Sequence, residues 1–267
     1  MAVKVPVEVD ERGAGEPLVL LHGLGASRLV WRRAAPRLAR SRLVIAPDLP
    51  GLAGSAPAGP GFDLDDVAGV LAPVLCERAG GPFDLLGTSL GGAVAVHLAA
   101  GHPELVRRLV LAAPAGFAPS RVPVAASGVG AASERAMAVR RIVGTRAAGS
   151  ATARRALLWG AVAEPARLSA GDARMMFEAS RGSERIGAAL ASVLRADLRP
   201  LLRGLEVPLG LIWGERDRVV PISTLSSIRQ LRPDAEVETI PRAAHIPQLE
   251  RPAEFVAAVE RVLERLS

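Results

Sequence analysis

The chain has 267 residues, 49% of them hydrophobic but only 3% aromatic, and a formal net charge of +6 at pH 7. A chain of this length buries about 70–75% of its unfolded surface as one domain with an insertion, and the composition dictates a core of Ala, Val and Leu. Charges break every apolar run well short of the about 20 residues of a membrane span, MAVKVPVEVDERG has no charged-then-apolar export signal, and a lone cysteine, Cys76, excludes an internal disulfide, so the expected compartment is the reducing cytoplasm.

Strand-like runs fall at 4–9, 17–22, 42–47, 83–88, 108–113, 207–213 and 235–240, and helical stretches near 28–40, 63–79, 90–101, 222–232 and 252–266 alternate with them. Such alternation predicts an α/β fold with a mainly parallel, doubly wound sheet covered on both faces. The second run, PLVLLH, ends on His22 before Gly23, where a histidine shapes a turn. PGLAGSAPAGPG, 50–61, reads as a loop near a pocket mouth, and Cys76 falls inside the helical DLDDVAGVLAPVLCERA as a small core residue. FDLLGTSLGG, 83–92, is then an apolar strand running through G-T-S-L-G into the helix-forming AVAVHLAA. A serine between two glycines at a strand-to-helix junction is a nucleophile elbow, a strained turn that lifts the Ser89 hydroxyl toward a reactant. Side chains at Gly87 and Gly91 would collide with the neighbouring strand and helix.

From Phe117 to Arg203 the pattern changes, with no convincing strand and four possible helices near 131–146, 151–163, 170–181 and 184–197. Ser169 and Asp172 have capping-box spacing at the start of the third. Trp159, Met175, Met176 and Phe177 are the bulkiest apolar residues there, and they either hold the segment to the rest of the chain or line a pocket. The segment holds fourteen arginines against six acids, a balance of 14 − 6 = +8, which leaves 6 − 8 = −2 elsewhere. That excess either faces water or steers an anionic substrate, with Arg140, Arg141, Arg154 and Arg155 as the residues to test.

A neutral serine hydroxyl needs a base. His97 is carried away from Ser89 along its helix, His102 marks the end of that helix, and His22 shapes a turn. His245, in the loop ETIPRAAHIPQLERP, is free to reach a site assembled from other loops. The carboxylate that fixes the imidazole tautomer comes from VPLGLIWGERDRVVP, where Asp217 is the first choice and Glu215 the alternative. Ligands of parallel sheets bind beyond the carboxyl ends of the strands, where Ser89, Asp217 and His245 all fall. Their order along the chain, Ser, Asp, His, is that of the α/β-hydrolases.

Six pieces in the same order carry a resemblance over almost the whole chain: LLHGLG, APDLPG, GTSLGG, HPELVRRLVLAAP, LIWGERDRVVP and AAHIPQLERPAEF. The sequence resembles the α/β-hydrolase fold superfamily, in its serine-nucleophile esterase, lactonase and C–C hydrolase branch. The resemblance implies Ser89 as nucleophile, Asp217 as acid and His245 as base. It further implies an oxyanion loop at His22 and Gly23, with the backbone N–H groups of Leu24 and Leu90 as oxyanion donors. It implies a core at 1–116 and 204–267, interrupted by a helical cap at 117–203 between the sixth and seventh strands.

The serine disfavours the aspartate-based dehalogenase and epoxide-hydrolase branches, and the chain has no tyrosine to serve as an epoxide-hydrolase acid. C–C hydrolases commonly place tryptophan after the base, where this chain has Ile246. The expected function is cleavage of a small or medium carboxylic ester, lactone or thioester, with the acyl group possibly anionic or carrier-bound. The alternatives are a biosynthetic C–C hydrolase, lyase or cyclase with the same triad, and a non-catalytic ligand-binding protein. No cofactor, metal site or nucleic-acid partner is expected, since the sequence has no metal-ligand cluster and no P-loop spacing, and no aromatics interleave its basic residues.

Overall fold

The computed structural model describes residues 5–117, 139, 142–179, 183 and 185–267. Its sheet has seven strands in the order β1-β3-β2-β4-β5-β6-β7. They are β1 (Val9–Arg12), β2 (Glu16–Leu21), β3 (Arg42–Pro47), β4 (Phe83–Thr88), β5 (Val106–Ala112), β6 (Leu209–Gly214) and β7 (Glu236–Ile240). β1 pairs antiparallel with β3, and every other pairing is parallel. Parallel strands covered on both faces are near-continuous apolar runs, and all six residues of β4 and of β6 are buried, with Asp84 of β4 ion-paired to Arg42 and Arg108.

Two apolar clusters form the core, one on each face of the sheet. Helix α2 (Leu64–Ala79) and helix α3 (Leu90–Gly101) pack into the first, and the C-terminal helix Pro252–Arg265 packs into the second. The N-terminus of α2 is fixed by Asp63, whose carboxylate accepts the N–H groups of Asp65 and Asp66 at 2.8 and 3.2 Å. Its C-terminus ends at Gly80 in the left-handed region, φ 69°.

Several elements depart from the sequence pattern. The run 4–9 supplies a strand only from Val9; before it, Glu8 O still accepts the Asp48 N–H in line with the β1–β3 pairing, while Pro6 O turns to the Ala56 N–H. The stretch 28–40 splits into a 3-10 turn, Arg28–Trp31, and the short helix α1 (Ala35–Leu38), which carries Pro36 in its first turn. Cys76 is half-buried at the edge of α2 rather than in the core.

The chain between β5 and β6 lies between the fifth and sixth strands of this sheet, not the sixth and seventh, and its described residues include helices but none of the strands of the sheet. Among these helices are Ala151–Leu157, Ala170–Glu178, Ile186–Arg195 and Arg199–Gly204, the last unforeseen by the sequence pattern. Most of the stretch 131–146 lies outside the described residues. Helix Ala151–Leu157 stops well short of residue 163, where Gly160 turns the chain at φ 85°. Arg154 is buried, and its guanidinium donates to the carbonyls of Ala148, Pro165 and Ala166 at 2.7, 3.3 and 3.0 Å. Met175 and Phe177 enter the second core cluster beside Trp31 and Phe255, so they hold this segment to the sheet, whereas Trp159 stays 72% exposed.

Candidate active site

Ser89 stands between β4 and α3 with φ 53° and ψ −118°, a left-handed conformation that a side-chain-bearing residue adopts only under constraint. The constraint comes from both sides. The Ser89 N–H donates to Ala112 O at 3.1 Å, and its carbonyl accepts the N–H groups of Gly92, Ala93 and Ala115. A Cβ at Gly87 would meet the backbone of Gly91 and Gly92, and one at Gly91 would meet the carbonyls of Leu21 and His22. The two glycines of G-T-S-L-G are thus what lets the turn close against β2 and its own helix.

The loop after β2 lies directly against this turn, since a Cβ on Gly23 would stand 3.1 Å from Ser89 Cβ and 3.7 Å from its Oγ. His22 is fully buried and holds the loop's shape. Its Nε2 accepts the Leu49 N–H at 3.0 Å, so the proton resides on Nδ1, which donates to Gly23 O at 2.9 Å. Burial pushes the His22 pKa down, which keeps this neutral tautomer; the Gly23 carbonyl and Asp48 oppose the shift. Leu90 is the first residue of α3, and the first N–H groups of an α-helix have no intrahelical partner. Leu24, half-buried, follows Gly23 in the loop packed on Ser89.

Asp217 lies beyond the end of β6, and His245 lies in the loop after β7. They meet because Gly214 ends β6 without a side chain, where a Cβ would strike the carbonyls of Ala243 and Ala244. His245 Nδ1–H donates to Asp217 Oδ2 at 2.8 Å, and the other carboxylate oxygen, Oδ1, accepts Val219 N–H at 2.8 Å and Val220 N–H at 3.0 Å. The Asp217 side chain is wholly buried. Nδ1–H is thereby committed to the carboxylate, which leaves Nε2 of a neutral imidazole as an acceptor. Glu215 is exposed and uses its N–H on Ile240 O, so the pair formed is the one with Asp217.

The remaining histidines pair elsewhere. His97 Nδ1 lies 2.6 Å from Asp65 Oδ1, and His102 Nδ1 lies 3.8 Å from Glu104. Sequence reasoning missed Glu250, whose carboxylate accepts from Ala244 and Ala163 on either side of the His245 loop. The backbone N–H of His245 itself donates to Ala161 O at 3.1 Å. Of the arginines singled out in the sequence, Arg140 and Arg141 lie outside the described residues, Arg154 is internal and Arg155 is exposed. Among the described residues, no group of three or more His, Cys, Asp or Glu side chains is placed to hold a metal ion, and no helix is long and apolar enough to cross a membrane.

Residues 16–252 match the family described as alpha/beta hydrolase fold, and the chain belongs to that family. It is 32% identical over 267 residues to a pimeloyl-[acyl-carrier protein] methyl ester esterase of Chromobacterium violaceum, covering 96% of this chain and 97% of that protein. A 2-hydroxymuconate semialdehyde hydrolase of Pseudomonas sp. is 41% identical over 124 residues, 43% of this chain and 42% of that protein. Among solved structures, a thermophilic esterase from Thermogutta terrifontis is similar with a TM-score of 0.76 at 24% identity, over 98% of this chain and 94% of that one.

Proposed function

We propose that this α/β-hydrolase family member is a serine hydrolase that cleaves a carboxylic ester of an acyl chain through Ser89, His245 and Asp217. The observation that carries the reading is the Asp217 Oδ2 to His245 Nδ1 hydrogen bond of 2.8 Å, formed beyond the same strand ends as the strained Ser89 turn. His245 Nε2 takes the proton of Ser89 as Oγ attacks the acyl carbon, and the N–H groups of Leu24 and Leu90 stabilise the oxyanion. His245 then protonates the leaving alcohol and activates water against the acyl-enzyme, while Asp217 stabilises the imidazolium. Apolar side chains suit both oxyanion positions because only their backbone donates. The reaction uses no cofactor.

The helices of 117–203 act in this reading as a cap over the site. A free carboxylate or an acyl-carrier attachment is the favoured far end of the substrate. Its support is the likeness to an esterase whose name specifies a carrier-bound methyl ester, together with the surplus of arginine in 117–203. The place of action proposed is the cytoplasm. A second reading, hydrolysis of a C–C bond next to a carbonyl, has its own support in the 41% identity over 124 residues to the 2-hydroxymuconate semialdehyde hydrolase.

The test offers one preparation carrier-bound and free methyl esters of dicarboxylic acids, neutral p-nitrophenyl esters, and a coloured ring-cleavage product. Methyl ester cleavage with no bleaching of the coloured product is the expected result. Bleaching in preference to ester cleavage selects the second reading, and turnover of none of these substrates refutes both.

A further inference from the structure

Glu250 ends the short helix Pro247–Glu250, five residues after His245, and its two carboxylate oxygens serve different parts of the chain. Oε1 accepts the N–H of Ala244, the residue before His245, at 3.0 Å. Oε2 accepts the N–H of Ala163, in the segment inserted between β5 and β6, at 2.7 Å. That segment also grips the histidine directly, since Ala161 O accepts the His245 backbone N–H at 3.1 Å. The backbone of Ala244 and His245 is therefore held against the inserted segment, through Glu250 at the first residue and through Ala161 at the second.

The side chain is half-buried beside a cavity of about 100 Å³ that it shares with Arg33, Glu164, Arg167, Arg242 and Arg251. Arg33 is paired with Asp172, and both Arg167 and Arg251 are paired with Glu164. The bonds that hold Glu250 thus come from backbone N–H groups. On the side of the active site the titratable neighbours are Asp217 and His245. Burial pushes the Glu250 carboxyl above the usual carboxylate range, Asp217's charge acts in the same direction, and the N–H groups of Ala163, Ala244 and Ile246 oppose it.

Building on the assignment of Ser89, His245 and Asp217 above, we infer that Glu250 is a positioning residue whose ionised carboxylate locks the His245 loop onto the inserted segment and sets the reach of the imidazole. An ionised carboxylate only accepts, so it satisfies both N–H groups at once. Protonation leaves one oxygen a neutral, poorer acceptor that carries a proton of its own, which weakens either the Ala244 tie or the Ala163 tie. A glutamine has the same shape and sets its NH2 group against one of the two N–H groups at every pH. The arrangement therefore adds a second acid-sensitive group to a reaction whose base already requires a neutral imidazole.

The experiment follows kcat/KM against pH for the full chain and for Glu250→Gln, after fluorophosphonate labelling of both proteins. In the wild type, weakening of one tie lowers kcat/KM by up to about a further tenfold across the acid limb, so log kcat/KM is steeper there than the slope of one that the imidazole alone gives. In Glu250→Gln the limb keeps a slope of one, kcat is about tenfold lower at neutral pH because one buried bond to the loop is lost, KM stays close to wild type, and the gap between the two profiles narrows in acid. Equal kcat in the two proteins at neutral pH, or a gap that stays constant through the acid limb, overturns the inference. If the variant does not fold, the wild-type profile decides on its own, because a plain slope of one refutes a second acid-sensitive group. Failure of the probe to label the wild type at all refutes the assignment of Ser89, and this inference with it.

Discussion

Asp217→Asn tests the active-site geometry most sharply, because the surroundings of the carboxylate dictate how an amide must sit. The amide oxygen is drawn to the Oδ1 position, where two backbone N–H groups, of Val219 and Val220, wait at 2.8 and 3.0 Å. Its NH2 group then faces His245 Nδ1, which must give up its proton to accept. The imidazole is driven into the Nε2–H tautomer, which cannot take the Ser89 proton. The productive flip would aim the NH2 group at two donors and forfeit both bonds, at about 1–3 kcal/mol for each unsatisfied buried group. A total near 4 kcal/mol corresponds to roughly a 10³-fold smaller productive population. Turnover of a p-nitrophenyl ester should therefore fall about 10³ to 10⁴-fold, with the thermal midpoint within a few degrees of wild type. Fluorophosphonate labelling should slow in parallel. A loss below about tenfold, or an equal loss in Glu215→Gln, would refute the role given to Asp217.

Other outcomes follow from the same contacts. Ser89→Ala should abolish fluorophosphonate labelling and lower turnover about 10⁴-fold or more; labelling that persists would mean another nucleophile. Gly91→Ala would press a methyl group into the Leu21 and His22 carbonyls, so soluble yield and cooperative melting should both be lost, and a wild-type melting curve would contradict the packing of the turn. Asp172→Ala frees Arg32 and Arg33, which are about 40% exposed and can turn to water. The loss in urea-measured stability should thus be about 2 kcal/mol, below the 3–5 of a fully buried pair. If arginines of the inserted segment steer an anionic substrate, Arg155→Gln with Arg174→Gln should lower kcat/KM several-fold for an acidic ester at low salt only, where the Debye length exceeds roughly 10 Å. An equal effect on a neutral ester would return those side chains to ordinary solvated charges.

The parts legible in the sequence are those fixed by short spacings. β4 reads as an apolar run because it is buried on both faces, and G-T-S-L-G reads as an elbow because Gly87, Ser89 and Gly91 carry the steric demand within five residues. Asp217 and His245 stand in loops that follow β6 and β7, so their meeting follows from parallel strands that aim their ends at one edge of the sheet. Arg154 and Arg155 show where this kind of reading stops. They are adjacent and chemically identical, yet one is buried among three carbonyls and the other is exposed. The carbonyls that decide between them are brought together by the turn around Gly160. Ser169 and Asp172 have capping-box spacing, and Ser169 Oγ does accept the Asp172 N–H at 3.0 Å. The partners that complete the carboxylate, Arg32 and Arg33, are 140 and 139 residues away along the chain.

Acid sensitivity is unevenly distributed around the Ser89 turn, and this asymmetry follows from burial. On the side of the β2 loop, His22 is enclosed and accepts the Leu49 N–H, so protonation would cost both desolvation and that bond; its lowered pKa keeps the loop intact while the medium acidifies. On the side of the β7 loop, the proposed mechanism has His245 exchange a proton in every cycle, and the Glu250 carboxylate accepts from Ala163 and Ala244, bonds that its ionised form makes at full strength. The donors proposed for the oxyanion are therefore insulated from pH, while the base and its support both respond to it. A fall in rate on the acid side should then appear without displacement of Gly23 from Ser89. Backbone amide shifts of residues 22–25 that move with the acid limb of the rate would contradict this division.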